Sequence, residues 1–145
     1  MICVDASVAV KWVLDEESSS EALALYHVAT TSREAVVAPP LLPIEVSNIL
    51  FRYARRQPGF TAADALRLFD AFLAFPVEIH NPDDLHRDAV AIAANHGLPA
   101  TYDAHYLALA RGLGCDLWTD DRRLLRTVGG RLPFVRWIGD VEPPR

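Results

Sequence analysis

Short, mostly apolar runs alternate along the chain with longer segments whose apolar positions recur at helical spacing. The runs at 2–4 (ICV), 34–38 (EAVVA), 77–79 (VEI), 115–118 (CDLW) and 134–138 (FVRWI) have strand length, with turn-forming or polar residues at their ends. Between the first two, Val8, Val10, Trp12, Val13 and Leu14 predict a helix closed by Asp15-Glu16-Glu17, and Ser18-Ser19-Ser20-Glu21 opens a second that runs to Thr31. A third helix is expected over 43–56, with Pro43 in its first turn and Pro58-Gly59 as its stop. Thr61-Ala62-Ala63-Asp64 is a capping-box pattern opening a fourth. A fifth is expected over 82–96, stopped by Gly97, a sixth over 101–111, and one or two further turns over 121–127. Short, mostly apolar strands that alternate with helices belong to a parallel sheet covered on both faces. The pattern predicts an α/β fold, a three-layer α/β/α sandwich with a central parallel sheet, as one domain over 1–145.

Composition narrows the setting. With 51% hydrophobic residues the chain is not disordered, and no apolar run reaches the roughly 18 residues of a membrane span. Asp5 interrupts the apolar start where a signal peptide continues, so export is not expected. Cys3 and Cys115 lie in apolar runs and read as small buried thiols, too few for a disulfide scaffold; a cytoplasmic location follows as the expectation. The net charge is −5, and Lys11 is the only lysine among 14 basic residues, so no global basic face exists and any contact with nucleic acid needs a local patch.

Ligand sites in open α/β sheets lie beyond the carboxyl ends of the strands, and that rule sorts the acids. Asp5 ends the first strand, Asp120 and Asp121 follow the fourth, Glu45 sits early in the helix after the second, and Asp103 lies in the first turn of the helix before the fourth. Asp116 enters its strand at the opposite edge, Asp15 to Glu17 read as a solvated face, and Asp83 and Asp84 as helix-start residues. Taken singly, Asp103 is also explained as a first-turn acid and Asp120 as an N-cap. Asp5 is harder to explain that way, since a carboxylate at the end of a buried strand is costly without a partner. Two carboxylates at ~4 Å repel by about 4 kcal/mol at an effective dielectric of 20, so convergence of these acids requires shared protons, arginines or a divalent cation. Oxygen ligands select Mg²⁺ or Mn²⁺. The histidines (His27, His80, His86, His96, His105) show no zinc-site spacing and read as surface or satisfied side chains.

The motifs D-A-S-V at 5–8, P-x-E-V-S-N-I-L at 43–50, T-Y-D-A-H-Y-L-A-L-A at 101–110 and L-W-T-D-D-R-R-L at 117–124 together resemble those of PIN-domain ribonucleases, and more narrowly the VapC toxins of type II toxin–antitoxin systems. The similarity covers essentially the whole chain. It implies Asp5, Glu45, Asp103 and Asp121 as the catalytic, metal-binding acids, with Asp121 at the ligand position of a T-x-D pattern and Asp120 at the variable one. It places Ser7 and Thr119 where hydroxyls support the acids from behind, and Asn48 more weakly in the same role. The activity implied is Mg²⁺-dependent endoribonuclease cleavage of RNA by an activated water. The partners implied are a small antitoxin that occludes the pocket and a second copy in a homodimer.

Two further features bear on partners. Glu45, Asn48, Arg52, Arg55 and Arg56 fall within a roughly 100° arc of an ideal helix. Arg52, Arg55 and Arg56, with Arg122 and Arg123 after the last acid, read either as phosphate-steering groups or as solvated, ion-paired cations. The fourth helix carries more apolar residues than one core-facing stripe needs. It is either wedged deep in the fold or forms a groove with Ile49, Leu50 and Tyr53 of the third helix. Among other functions, a haloacid-dehalogenase-type phosphotransferase needs an aspartate where Ser7 stands, and phosphate-binding glycine fingerprints are absent. The alternative that remains is a PIN-like module that binds RNA or protein without cutting.

Overall fold

The structure is a computed structural model describing residues 1–141; the last four residues of the expected 1–145 domain lie outside the described residues. Five strands, β1 (Ile2–Val4), β2 (Val36–Ala38), β3 (Glu78–Ile79), β4 (Leu117–Thr119) and β5 (Val135–Trp137), form one sheet in the order β3-β2-β1-β4-β5. Every pairing is parallel, with Cys3 in register with both Val37 and Leu117. The three central strands are buried at nearly every position, because helices cover both faces, and this is why they read as unbroken apolar runs. The chain builds outward from β1 to β2 and β3, then crosses back to place β4 on the other side of β1. That reversal opens a crevice at the carboxyl ends of β1 and β4.

Seven helices connect the strands: α1 (Ala6–Ala9), α2 (Ser19–Thr31), α3 (Leu41–Arg56), α4 (Ala62–Leu73), α5 (Leu85–His96), α6 (Tyr102–Leu113) and α7 (Arg122–Val128). On α3, Leu42, Val46, Leu50 and Ala54 form a buried stripe at i, i+4 spacing, which turns Glu45, Asn48 and Arg52 away from the core. Leu42 and Leu50 are fully buried, each contributing on the order of 2 kcal/mol. On α6, Tyr106, Leu107 and Leu109 pack into the core. Gly97 and Gly114 end α5 and α6 in the left-handed conformation, and the Thr61–Asp64 capping box forms as the sequence predicts.

The expected first helix is split: α1 lasts one turn and gives way to a 3-10 turn over Val10–Trp12. That tightening carries Lys11 and Trp12 inward, where the Trp12 indole N–H donates to Ala22 O at 3.2 Å. β2 and β3 are shorter than expected, beginning at Val36 and Glu78. Cys3 is buried, but Cys115 is only half-buried, and both thiols are free. The α4 helix is not wedged deep in the fold: only Ala65 and Phe72 are buried. Phe72, with Phe75 just beyond the helix, stacks on Trp12, at centroid distances of 6.4 and 5.1 Å, while Leu66 and Leu73 face outward.

Candidate active site

Asp5 and Asp121 are fixed by the helices that start at the strand ends. Asp5 caps α1, its Oδ1 accepting the Val8 N–H at 3.2 Å, and Asp121 caps α7, its Oδ1 accepting the N–H groups of Arg123 and Leu124 at 2.7 and 3.1 Å. Two hydroxyls tie these strand exits together. Ser7 Oγ donates to Asp5 Oδ1 at 2.5 Å and accepts the Asp120 N–H at 2.8 Å, and Thr119 Oγ1 accepts the Asp121 N–H at 3.0 Å. Ser7 and Thr119 themselves approach to 3.4 Å. Both hydroxyls thus hydrogen-bond at the strand exits that carry the acids.

Glu45 and Asp103 reach the same place from α3 and α6. A cavity of about 630 Å³ is lined by Glu45, Asn48 and Arg52, by Asp103 with Pro99, Ala100 and Tyr102, and by Asp121 and Arg123. Asp5 is 5% exposed and close enough for its charge to act on Glu45 and to feel that of Asp103. Burial pushes the Asp5 carboxyl up to about 6 against the pull of the Ser7 and Thr119 hydroxyls and the Val8 N–H. Burial pushes Glu45 up to about 7, with the Tyr106 hydroxyl opposing it and the charges of Asp5 and Asp103 adding to it. Asp103 is raised by burial and by Asp121, with Arg123 opposing. Glu45 Oε1 and the Tyr106 hydroxyl oxygen are closed off from solvent without a hydrogen-bond partner of good geometry. Among the described residues no three His, Cys, Asp or Glu side chains already stand in ligating geometry, so the acids surround a space rather than a closed ligand shell.

Asp120 does not take the N-cap role that would explain it singly: Asp121 caps α7, and both Asp120 oxygens are held elsewhere. Its Oδ1 accepts the Trp137 indole N–H at 3.0 Å, and its Oδ2 meets Lys11 Nζ at 3.1 Å. The same ammonium contacts Glu16 Oε1 at 3.1 Å and donates to Glu17 O at 2.7 Å. Arg122 is also drawn away, its guanidinium 3.8 Å from the Trp137 ring centroid, whereas Arg123 lines the acid cavity. Sequence reasoning missed three of these residues. Lys11 carried the signal of being the sole lysine, and Tyr106 that of standing three residues after Asp103 on one helix face. Trp137 carried no such signal. His86 Nδ1 and His105 Nε2 meet at 3.0 Å, and the partly exposed His96 has an Nδ1 closed off from solvent without a partner.

The groove between α3 and α4 lies on a different face from the one expected. Its walls, enclosing about 660 Å³, are Ile44, Asn48 and Phe51 from α3 and Ala62, Ala65, Leu66 and Phe69 from α4. Leu50 is buried in the core, and Tyr53 packs edge-on against Phe60. Ile44 and Leu66 are 63% and 64% exposed, so the groove is open and apolar.

The sequence pattern of the PIN domain family matches residues 2–130. Ribonuclease VapC3 of Pyrobaculum aerophilum is 33% identical over 128 residues, 85% of this chain and 91% of that protein. Ribonuclease VapC9 of Mycobacterium tuberculosis is 32% identical over 135 residues, 93% of this chain and 97% of that protein. The crystal structure of PAE2754 from Pyrobaculum aerophilum superposes with a TM-score of 0.64 at 26% identity, covering 95% of this chain and 89% of that one. A chain of a toxin–antitoxin complex from Klebsiella pneumoniae shares the fold, with a TM-score of 0.61 at 18% identity over 100% of this chain and 99% of its own. Among the described residues no helix is long and apolar enough to cross a membrane.

Proposed function

The chain belongs to the PIN domain family, and from that premise we propose that it is a Mg²⁺- or Mn²⁺-dependent endoribonuclease, the toxin of a type II toxin–antitoxin pair. One observation carries the reading: Glu45, Asp103 and Asp121, far apart in sequence, line one cavity beside the buried Asp5. Substrate class follows from the relatives, which carry the name ribonuclease.

The residues fit a hard divalent cation. All donors are carboxylate oxygens, Glu45 Oε1 is buried without a partner, and Asp5, Glu45 and Asp103 are pushed up by burial and by one another's or Asp121's charge, costs that a bound cation would offset. Asp5, Glu45, Asp103 and Asp121 would hold the ion, with Asp121 rather than Asp120 because Asp120 is committed to Lys11 and Trp137. When bound, such an ion supplies Lewis acidity toward a phosphoryl oxygen and a lowered pKa for water. Ser7 holds Asp5 in place and orders the β4 exit, so its hydroxyl is spent on positioning. Cys3 is buried, with its thiol pushed well above the ordinary range by that burial. Neither is a nucleophile, so the reading is attack on the phosphate by an activated water rather than by a protein side chain. Arg123 and Asn48 line the cavity, where they can hold the phosphate under attack.

Control by a small antitoxin and assembly with a second copy belong to the same proposal, supported by the open apolar groove between α3 and α4. The test is cleavage of total cellular RNA by the purified protein with Mg²⁺ or Mn²⁺. Cutting is expected to stop with chelator and to fall at least about 100-fold in Asp103→Ala and Asp5→Asn. Cutting that persists unchanged in chelator and in both variants sinks the reading.

A further inference from the structure

We propose that the arginine pocket at the end of α3 is a second phosphate site, so that the protein grips single-stranded RNA two to three nucleotides to one side of the cut. This rests on the nuclease reading and adds to it a one-sided subsite. Arg52, Arg55 and Arg56 alone line a cavity of about 280 Å³, and Arg52 also lines the acid cavity, so one side chain joins the two. All three arginines are exposed, and among the described residues none pairs with a carboxylate. Glu16, which shares a hollow with Arg52 and Arg56, is itself paired with Lys11. A helix C-terminus favours cations in its last turn, which accounts for Arg55 and Arg56. It does not account for Arg52 a turn earlier, nor for three unpaired cations in a chain of net charge −5.

Spacing sets the register. At 1.5 Å of helix rise per residue, Arg52 lies about 10 Å and Arg55 and Arg56 about 15 Å along α3 from Glu45. An extended strand with phosphates roughly 6 Å apart therefore places its second or third phosphate over the pocket. Phe51, half-exposed with Arg55 5.9 Å from its ring centroid, adds an aromatic surface for a base beside the phosphate site. The acid cavity has two cations in its lining, Arg123 beside Asp121 and Arg52, and only Arg52 continues into a further cluster of arginines, while Pro99, Ala100 and Tyr102 carry no charge and Arg122 is held on Trp137. The track therefore leaves the acids on the Arg52 side.

Phosphate-ethylation interference on an end-labelled, mixed-sequence RNA tests the register. Wild type is expected to show one block at the cut and a second two to three phosphates away on one flank only, and Arg55→Gln/Arg56→Gln should lose the second while keeping the first. A single block in wild type, or a second block that persists in the variant, overturns the proposal. Binding in an Asp103→Asn background reads the site without cutting: removing both arginines should flatten the slope of log K against log[salt] by about 1.4. An unchanged slope overturns the track whatever the cleavage result, whereas a flattened slope without any cutting by the parent protein refutes the nuclease reading and leaves the track standing. Equal competition by polyglutamate would give the pocket to an acidic protein segment and overturn it as an RNA site.

Discussion

Replacing Glu45 by Gln should make the metal-free protein more stable at alkaline pH while disabling it. In the folded chain Glu45 titrates at about 7 against an ordinary value of 4.5, and Asp5 at about 6 against 3.8. Between those limits the folded protein keeps protons that the unfolded chain has released. Stability therefore falls as pH rises from about 4 to 7, and the full cost persists above that. At 1.36 kcal/mol per unit, the Glu45 difference has a ceiling of about 3 kcal/mol. Glu45 is partly exposed, so solvent screening reduces this to about 1–2 kcal/mol, and the Asp5 contribution is coupled to it rather than additive. Urea melts in chelator measure the effect. With a slope on the order of 2 kcal/mol/M, Glu45→Gln should shift the midpoint upward by about 0.5–1 M at pH 8 and leave it unmoved at pH 4. Saturating Mg²⁺ or Mn²⁺ should reverse the ranking, since only the wild type retains the full ligand set. A Gln variant less stable than wild type at pH 8, or wild-type stability that does not decline between pH 5 and 8, refutes the picture of mutually repelling buried acids.

Lys11→Met should cost about 3 kcal/mol in the same melts, because it strands the Asp120 carboxylate opposite a side chain only 7% exposed; Lys11→Arg should recover part of the loss. A loss below about 1 kcal/mol, or no recovery by Arg, contradicts a buried ion pair at the β4 exit. Leu66→Lys, placed in the groove and away from the acids, should weaken co-purification with the antitoxin proposed above at least tenfold while leaving RNA cleavage intact, as read by pull-down and gel assay. Undiminished binding moves the partner surface elsewhere.

The fold was legible because its strands are buried on both faces and its helices carry local start and stop signals, as at Thr61 and Gly97. The acids were legible because the strand ends could be located, and a carboxylate ending a buried strand demands an explanation. What escaped was set by tertiary contact. The break after Ala9 follows from Trp12 reaching Ala22, a contact local periodicity does not encode. The commitment of Asp120 to Lys11 and Trp137, one before α2 and the other on β5, joins residues far apart in sequence at a single carboxylate. The groove was assigned to the wrong face of α3 because Leu50 belongs to the i, i+4 stripe that packs inward, leaving Ile44 and Phe51 outside.

Asp5 and Asp121 each open a helix with the same carboxylate that is proposed above to hold the metal. Asparagine caps a helix about as well as aspartate and carries no charge. Silencing this protein thus requires no damage to its architecture: an aspartate-to-asparagine exchange leaves the scaffold, and every surface it presents, in place. Inert copies that still occupy an inhibitor are therefore within easy evolutionary reach, while alanine scanning at these two positions would confuse lost scaffolding with lost chemistry.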